Sequence, residues 1–238
     1  MRLVLWDVDG TLVHSRSIVG GVYIESVVAT YELQEALKEV EWSGKTDSQI
    51  VLEALALHGW AEDAAIARLD AFRERYVAAL EAVREQLVED MPILPGVPDV
   101  LRQLASLDTT QSLLTGNYES AAVVKLGAVG LAHHFDFTVG AFGSDHRDRT
   151  KLVPIALEKA RRRYDVSLSP ADVIVIGDTP RDIACARAGG ARAVAVATGQ
   201  FSQEQLAAHQ PDVLLSNLED TTAATAAILG LENGSPVN

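Results

Sequence analysis

The sequence predicts an α/β doubly wound domain, a parallel sheet with helices on both faces, interrupted by an all-helical insertion. Three observations predict it. Near-continuous apolar runs of strand length recur along the chain, segments of helical period alternate with them from residue 96 onward, and residues 16 to about 90 carry helical period with no good strand.

The first strand is "LVLW" at 3–6, which ends in polar residues. The insertion follows, with "VYIESVVATYELQEALKEV", "DSQIVLEALALHG" and "EDAAIARLDAFRERYVAALEAVREQLVE" each read as helical. It closes at "EDMPILPGVPD", where Pro92, Pro95 and Pro98 mark a stiff return to the sheet. Beyond it come a helix in "GVPDVLRQLASL", a strand in "TQSLLT" at 110–115, a helix in "YESAAVVKLGAVG" and a strand in "FDFTVG" at 135–140. A helix in "LVPIALEKARRRY" leads to a strand in "DVIVIG" at 172–177. The helix in "RDIACARAGG", with Gly189 and Gly190 as its C-cap, precedes strands in "RAVAVA" at 192–197 and "DVLLS" at 212–216. From Gly230 the polar tail "GLENGSPVN" is expected to fray.

Bulk properties narrow the function. With 238 residues, 48% of them apolar, the chain can bury a core without staples, and its single cysteine, Cys185, has no internal disulfide partner. Met1 and Arg2 lead directly into a strand without a signal-like apolar stretch, so a cytoplasmic, reducing location is expected. No apolar run approaches the roughly 20 residues of a membrane span. A formal charge of −13 opposes the phosphate backbone and excludes nucleic acid as a natural partner. An anionic substrate then needs a local reversal of field, from a metal, a basic side chain or helix N-termini.

Ligands of open parallel sheets sit beyond the carboxyl ends of the strands. Strand one ends in Asp7-Val8-Asp9-Gly10-Thr11, the 110s strand in Thr115-Gly116-Asn117, and the 170s strand in Gly177-Asp178-Thr179-Pro180-Arg181-Asp182. Asp7 and Asp9, two apart in extended chain, share one side. Their repulsion, increased by Asp178 and Asp182, calls for a hard divalent cation with oxygen ligands, for which Mg²⁺ is the first choice. Each piece alone is weak, since Asp and Gly favour turns and acids favour a first helical turn; their order and common position at strand ends make the set specific.

Taken together, "DVDGT", "LLTGN" and "VIVIGDTPRD", with a helical insert after the first, resemble the haloacid dehalogenase superfamily in its phosphatase branch, over nearly the whole chain. The resemblance implies a Rossmann-like catalytic core at 1–15 and 91–238 and a helical cap at 16–90. It implies Asp7 as the nucleophile that forms an aspartyl-phosphate and Asp9 as general acid/base. Asp178 would ligate Mg²⁺ with Asp7 and the backbone carbonyl of Asp9, with Asp182 assisting. Thr115 would hold a phosphoryl oxygen, and Gly10, Thr11, Gly116 and Asn117 would border the phosphate. The family's Lys-Pro before the helix that precedes the metal-binding strand is absent from "GSDHRDRTKLVPIAL". Arg149 and Lys151 are the candidate cations there, Arg149 favoured for its place before the helix start, and Arg147 is the outsider.

The chemistry agrees with the residue types, because phosphoryl transfer needs in-line positioning and cationic stabilisation of spreading negative charge. The resulting expectation is a Mg²⁺-dependent phosphatase acting on a small phosphorylated metabolite, with a phosphoglycolate-like ester as first guess and a monomer or homodimer as its state. A phosphomutase of hexose-phosphate type, sharing the core and differing in the cap, is the alternative. A dehalogenase has no alcohol to protonate and no use for Asp9, and a non-catalytic phosphoryl-binding regulator has no need to keep both Asp7 and Asp9.

"SGKTD" at 43–47 is not a nucleotide loop, since Glu39 stands where the first glycine belongs. Thr46 is expected to cap a helix starting at Asp47, and the resemblance adds Lys45 and Thr46 as substrate-facing residues of the cap. His14 lies near the mouth of the site, the other histidines lack metal spacing, and Trp6, Trp42 and Trp60 read as packing residues.

Overall fold

The computed structural model describes residues 1–231. Six parallel strands form one sheet in the order β3-β2-β1-β4-β5-β6, the doubly wound arrangement with its switch point between β1 and β4. They are β1 (Arg2–Trp6), β2 (Thr109–Thr115), β3 (Ala141–Phe142), β4 (Val173–Gly177), β5 (Arg192–Val196) and β6 (Val213–Leu215). Strand β1 sits between β2 and β4, with Arg2 opposite Thr109 and Leu3 opposite Val173.

Alternation along the strands divides the core in two. Val4, Trp6, Leu113, Ile174 and Ile176 face one side, whereas Leu3, Leu5, Leu114, Val173 and Val175 face the other. The second side is covered by α8 (Leu152–Tyr164), α9 (Pro180–Ala188) and α10 (Gln203–Ala207). The first is covered by α6 (Val97–Ala105), α7 (Glu119–Ala128) and α11 (Thr221–Leu229).

Between β1 and α6 lie only helices and loops: α1 (Ile18–Tyr31), α2 (Asp47–Leu57), α3 (Glu62–Ile66), α4 (Leu69–Ala82) and α5 (Arg84–Asp90). Helix α4 buries Phe72, Tyr76 and Leu80, spaced four apart on one stripe, against α1 and α7. The apolar residues of this insertion are continuous with the core on the first side of the sheet.

Three elements differ from the sequence expectation. The run "FDFTVG" is not a strand: Asp136 accepts the Thr138 N–H at 2.9 Å and turns Phe137–Val139 into a 3₁₀ turn, so the strand begins at Ala141. The helix expected through 40 ends at Tyr31, because Glu32 adopts φ 53° and Tyr31 is pinned through its hydroxyl to the Ala65 carbonyl at 2.9 Å. Residues 33–46 then cross as an irregular strap whose Leu33, Leu37, Val40 and Trp42 pack on the core. The long helical segment at 62–89 is cut at Arg68 and Val83, both near φ −105° and ψ 10°, into α3, α4 and α5. The C-cap after α9 holds, with Gly190 at φ 72°. The expected fraying beyond Leu231 concerns residues outside the described range. Among the described residues no helix is long and apolar enough to cross a membrane.

Candidate active site

The carboxyl ends of β1, β2 and β4 open into one cavity of about 390 Å³ beneath the 43–47 turn of the insertion. That turn is fastened by one backbone and one side-chain hydrogen bond, to the end of β2 and to the 143–148 loop. Asp47 N–H donates to the Gly116 carbonyl at 2.8 Å, and the Thr46 hydroxyl to the Arg147 carbonyl at 3.0 Å. A separate cavity of about 530 Å³, bordered by Gln49, Trp60 and Arg147, contains none of the strand-end carboxylates.

Asp7 continues the ladder, its N–H donating to the Ile176 carbonyl at 2.9 Å, and the chain then turns tightly through Gly10 at φ 86°. Asp7 is 5% exposed and lies 3.0 Å from the Arg149 guanidinium. The same guanidinium is bound to Asp182 and donates to the Leu114 carbonyl at 3.3 Å. Asp178 accepts the Thr11 hydroxyl at 3.1 Å. Its other oxygen occupies a gap that exists only because two neighbours lack side chains. A Cβ on Gly199 would stand 1.7 Å from that oxygen, and one on Gly10 2.4 Å.

Oxygen atoms of Asp7, Asp178 and Asp182 lie within 4.8 Å of one another, all buried. Burial is the largest cause that lifts Asp7 to about 6, with Arg149 opposing and Asp182 and Asp9 adding repulsion; burial plus Asp182 and Asp7 lifts Asp178 to about 8. Arg149 alone does not balance three buried carboxylates. An all-oxygen donor set short of positive charge suits a hard divalent cation. Asp182 is the least available of the three. One oxygen accepts the Thr179 N–H and hydroxyl in the capping box of α9, and the other is bound by Arg149. Asp7 and Asp178 are therefore the two with oxygen left for an ion.

Asp9 has a different set of partners. Both of its oxygens lie 2.6 Å from Lys125 Nζ, while Ser15 donates to one at 2.5 Å and Asn117 Nδ2 to the other at 2.9 Å. Despite the burial that opposes it, Lys125 and these hydrogen bonds hold the Asp9 carboxyl below the usual range. Lys125 is 1% exposed and also donates to Asn117 Oδ1 at 2.8 Å. Asn117 in turn donates to the Thr115 hydroxyl at 2.9 Å. Asp7 and Asp9 thus face one cavity, each with its own buried cation.

Gly10, Lys45, Thr115, Gly116, Asn117 and Arg149 line this cavity, with exposed His14 at its mouth. Thr11 and Lys151 are placed otherwise, Thr46 keeps its expected capping role without reaching the cavity, and Asp9 keeps only its backbone for a metal. Thr11, fully buried, lies behind Asp178 and orients it. Thr46 caps α2, accepting the Gln49 N–H at 3.2 Å, and is fully buried. Lys151 is exposed outside the cavity, since the 3₁₀ turn Arg149–Lys151 points Arg149 inward and Lys151 out. The Asp9 carboxylate is turned to Lys125, away from the metal-type cluster, which leaves only its backbone for that role. Arg147 pairs with Glu62 at the surface.

Two residues escaped sequence reasoning. Lys125 lies on the buried stripe of α7 with Ala121, Ala122 and Val124, and a cation on an apolar stripe eight residues after Asn117 was the available signal. Asp47 looked like an ordinary first-turn acid.

Comparison with known proteins agrees with this geometry. Residues 1–190 match the haloacid dehalogenase-like hydrolase family. The chain is 28% identical over 92% of its length to Phosphoglycolate phosphatase 1 of Pseudomonas aeruginosa, covering 78% of that protein. It is 27% identical over 99% of its length to Probable phosphatase IndB of Dickeya dadantii, covering 98% of that protein. In fold it resembles the crystal structure of a predicted phosphoglycolate phosphatase from Haemophilus somnus, with TM-score 0.66 and 19% identity over 94% of this chain and 98% of that one. With its fold, its strand-end aspartates and its family match in agreement, the chain belongs to the haloacid dehalogenase-like hydrolases.

Proposed function

We propose that the protein is a Mg²⁺-dependent phosphatase that hydrolyses a small phosphate monoester through a phosphoryl group carried on Asp7. The observation that carries this reading is the pair Asp7 and Asp9, opening on one cavity through separate buried partner sets.

In the first displacement an Asp7 oxygen attacks phosphorus, the ester P–O bond breaks, and the leaving oxygen takes a proton from Asp9, which is ionised in the resting site and acquires that proton from the phosphoryl group of the monoanionic ester as it binds. In the second, Asp9 removes a proton from water, which attacks phosphorus and frees inorganic phosphate and Asp7. The ionised Asp9 enforced by Lys125 is the form this second step requires. Thr115 and Arg149 face the phosphoryl oxygens, and Arg149 holds Asp7 at 3.0 Å so that its attacking oxygen has one orientation. Mg²⁺ held by Asp7 and Asp178 would supply the positive charge that the phosphoryl group and the crowded carboxylates need.

The test is phosphate release from a panel of phosphate monoesters, with and without Mg²⁺, by the wild type and by Asp7→Asn. Release that requires both Mg²⁺ and Asp7 is expected. A folded protein that binds Mg²⁺ and releases nothing from any ester, or a mutant as active as the wild type, refutes the reading. Isomerisation of a sugar phosphate without release would favour a mutase.

A further inference from the structure

The hydrolytic chemistry leaves part of the cavity wall unexplained. Within that wall lies Asp47, the first residue of α2, 7% exposed and next to Gly116 and Tyr118. Its Oδ2 accepts the Tyr118 N–H at 2.8 Å, the one hydrogen bond to this carboxylate among the described residues, which leaves Oδ1 without a protein donor. Burial, the largest influence, lifts this carboxyl to about 7 against the pull of the Tyr118 N–H and Lys125.

Aromatic side chains complete the wall. Tyr23 stands 4.8 Å from Trp42 and 5.2 Å from Tyr76, centroid to centroid, and all three border the cavity. The Tyr23 hydroxyl donates to the Asp47 backbone carbonyl at 2.6 Å, which fixes ring and carboxyl together.

The buried basic side chains around this cavity are already engaged, while His14 stands exposed at its mouth. Lys125 is paired with Asp9, Arg149 with Asp7 and Asp182, and Lys45 with Glu53. Arg16, exposed at the mouth, donates to the Glu89 carbonyl at 3.3 Å. A leaving group bearing a carboxylate would therefore meet the Asp47 carboxyl with no uncommitted buried cation beside it, a costly arrangement. An ammonium would meet a desolvated carboxylate and aromatic rings, which is the combination that attracts organic cations.

Resting on the phosphatase reading, we propose that the substrate is the phosphate monoester of a small amino alcohol, its ammonium held by Asp47 beside Tyr23, Trp42 and Tyr76 while its phosphoryl group meets Asp7. This departs from the phosphoglycolate-like ester expected from the sequence. Phosphatases that read a carboxylate and phosphatases that read an ammonium need opposite charge where the leaving group rests, and here the charge is Asp47.

Three esters of nearly equal size differ in charge at the far end: O-phosphoethanolamine is cationic there, ethyl phosphate neutral and 2-phosphoglycolate anionic. With 4-nitrophenyl phosphate as a general substrate, kcat/KM is expected to fall at least tenfold from the first to the second and again from the second to the third. Asp47→Asn keeps an acceptor for Tyr118 and removes the charge. It is expected to lower kcat/KM for O-phosphoethanolamine by at least 30-fold, mainly through KM, and to bring the three esters within a few-fold of one another. Trp42→Leu, at a partly exposed wall, is expected to cost O-phosphoethanolamine several-fold more than ethyl phosphate, which keeps the test intact if Asp47→Asn does not fold. Hydrolysis of 4-nitrophenyl phosphate with 2-phosphoglycolate equal to or better than O-phosphoethanolamine overturns this assignment alone. No hydrolysis of any ester, 4-nitrophenyl phosphate included, overturns the phosphatase reading and the assignment with it.

Discussion

Replacing Lys125 by Met keeps an apolar stem of four heavy atoms and removes the terminal ammonium with its charge and donors. In the native site the ammonium makes three contacts, 2.6 Å to each Asp9 oxygen and 2.8 Å to Asn117. Ser15 and Asn117 still hold Asp9 after the change, so the carboxyl loses its strongest tether rather than all of them. A hydrogen bond to a charged group contributes about 1.5–3 kcal/mol. If that energy serves to place Asp9 for proton transfer, kcat/KM for an alkyl phosphate should fall by about 10- to 150-fold, at 1.36 kcal/mol per factor of ten. The leaving group is the diagnostic. An alkoxide needs the proton from Asp9, whereas 4-nitrophenolate departs without one. Because kcat/KM reports events up to the first irreversible step, here transfer to Asp7, the later demand on Asp9 as base does not enter it. Lys125→Met should therefore cost an alkyl phosphate at least tenfold more than 4-nitrophenyl phosphate, as should Asp9→Asn. An equal loss on both esters would show that Lys125 acts on the phosphoryl group itself and would refute its role through Asp9.

Arg149→Met strands Asp7 and Asp182 without their shared cation, and urea unfolding in the absence of Mg²⁺ should show a loss of about 3–5 kcal/mol; a loss under 1 kcal/mol would mean the pair is not a structural anchor. Gly199→Ala drives a methyl into Asp178, so it should abolish the thermal shift produced by Mg²⁺ and lower activity at least 100-fold while costing about 1–3 kcal/mol of stability. Asp7 and Asp178 are raised to about 6 and about 8, so the stability their protonated forms contribute is complete below about pH 4 and is lost as pH rises through those values. Added Mg²⁺ should accordingly raise the melting temperature more at pH 8.5 than at pH 5.5, and an equal or reversed increment in differential scanning fluorimetry would contradict the assignment. Asp47, raised to about 7, follows the same sign, so Asp47→Asn should gain in stability relative to wild type between pH 5 and pH 8.

Strand pattern and strand-end chemistry were legible in the sequence for different physical reasons. A strand buried on both faces must be apolar throughout, which is why β1, β2, β4 and β5 lay within a residue or two of the runs that announced them. The 135–140 run failed because local polar chemistry overrode apolarity: the Asp136 side chain satisfied the backbone in a turn before a ladder could. The strap at 33–46 failed because apolar residues spaced at 33, 37 and 40 serve a helix or a draped loop equally well, and a single left-handed residue, Glu32, decides between them. In the site, Asp7, Asp9, Asp178 and Thr115 were visible because their order along the chain maps onto one edge of the sheet. Lys125 and Asp47 were not, since their significance depends on what the fold packs beside them, and linear spacing carries no such information.

The problem posed by the first strand is how two carboxylates two residues apart can coexist at its end. Repulsion between them predicts that one takes up a proton or that both share a metal. The structure divides them instead. The Asp9 carboxylate meets Lys125 of α7, which neutralises it, and Asp7 is left with Arg149, Asp178 and Asp182. The charge deficit is thereby confined to the second group, which contains three carboxylates and one guanidinium. Separate neutralisation also keeps the two tasks independent, since a cation that binds Asp7 need not suppress proton transfer by Asp9. Merging the groups would couple them. Removing Lys125 should therefore do more than weaken Asp9: the freed carboxylate adds negative charge beside Asp7, so the Lys125→Met protein should bind Mg²⁺ at least as tightly as wild type in isothermal titration while losing activity on alkyl esters. Weaker Mg²⁺ binding in that variant would mean that the two charge groups are not separate.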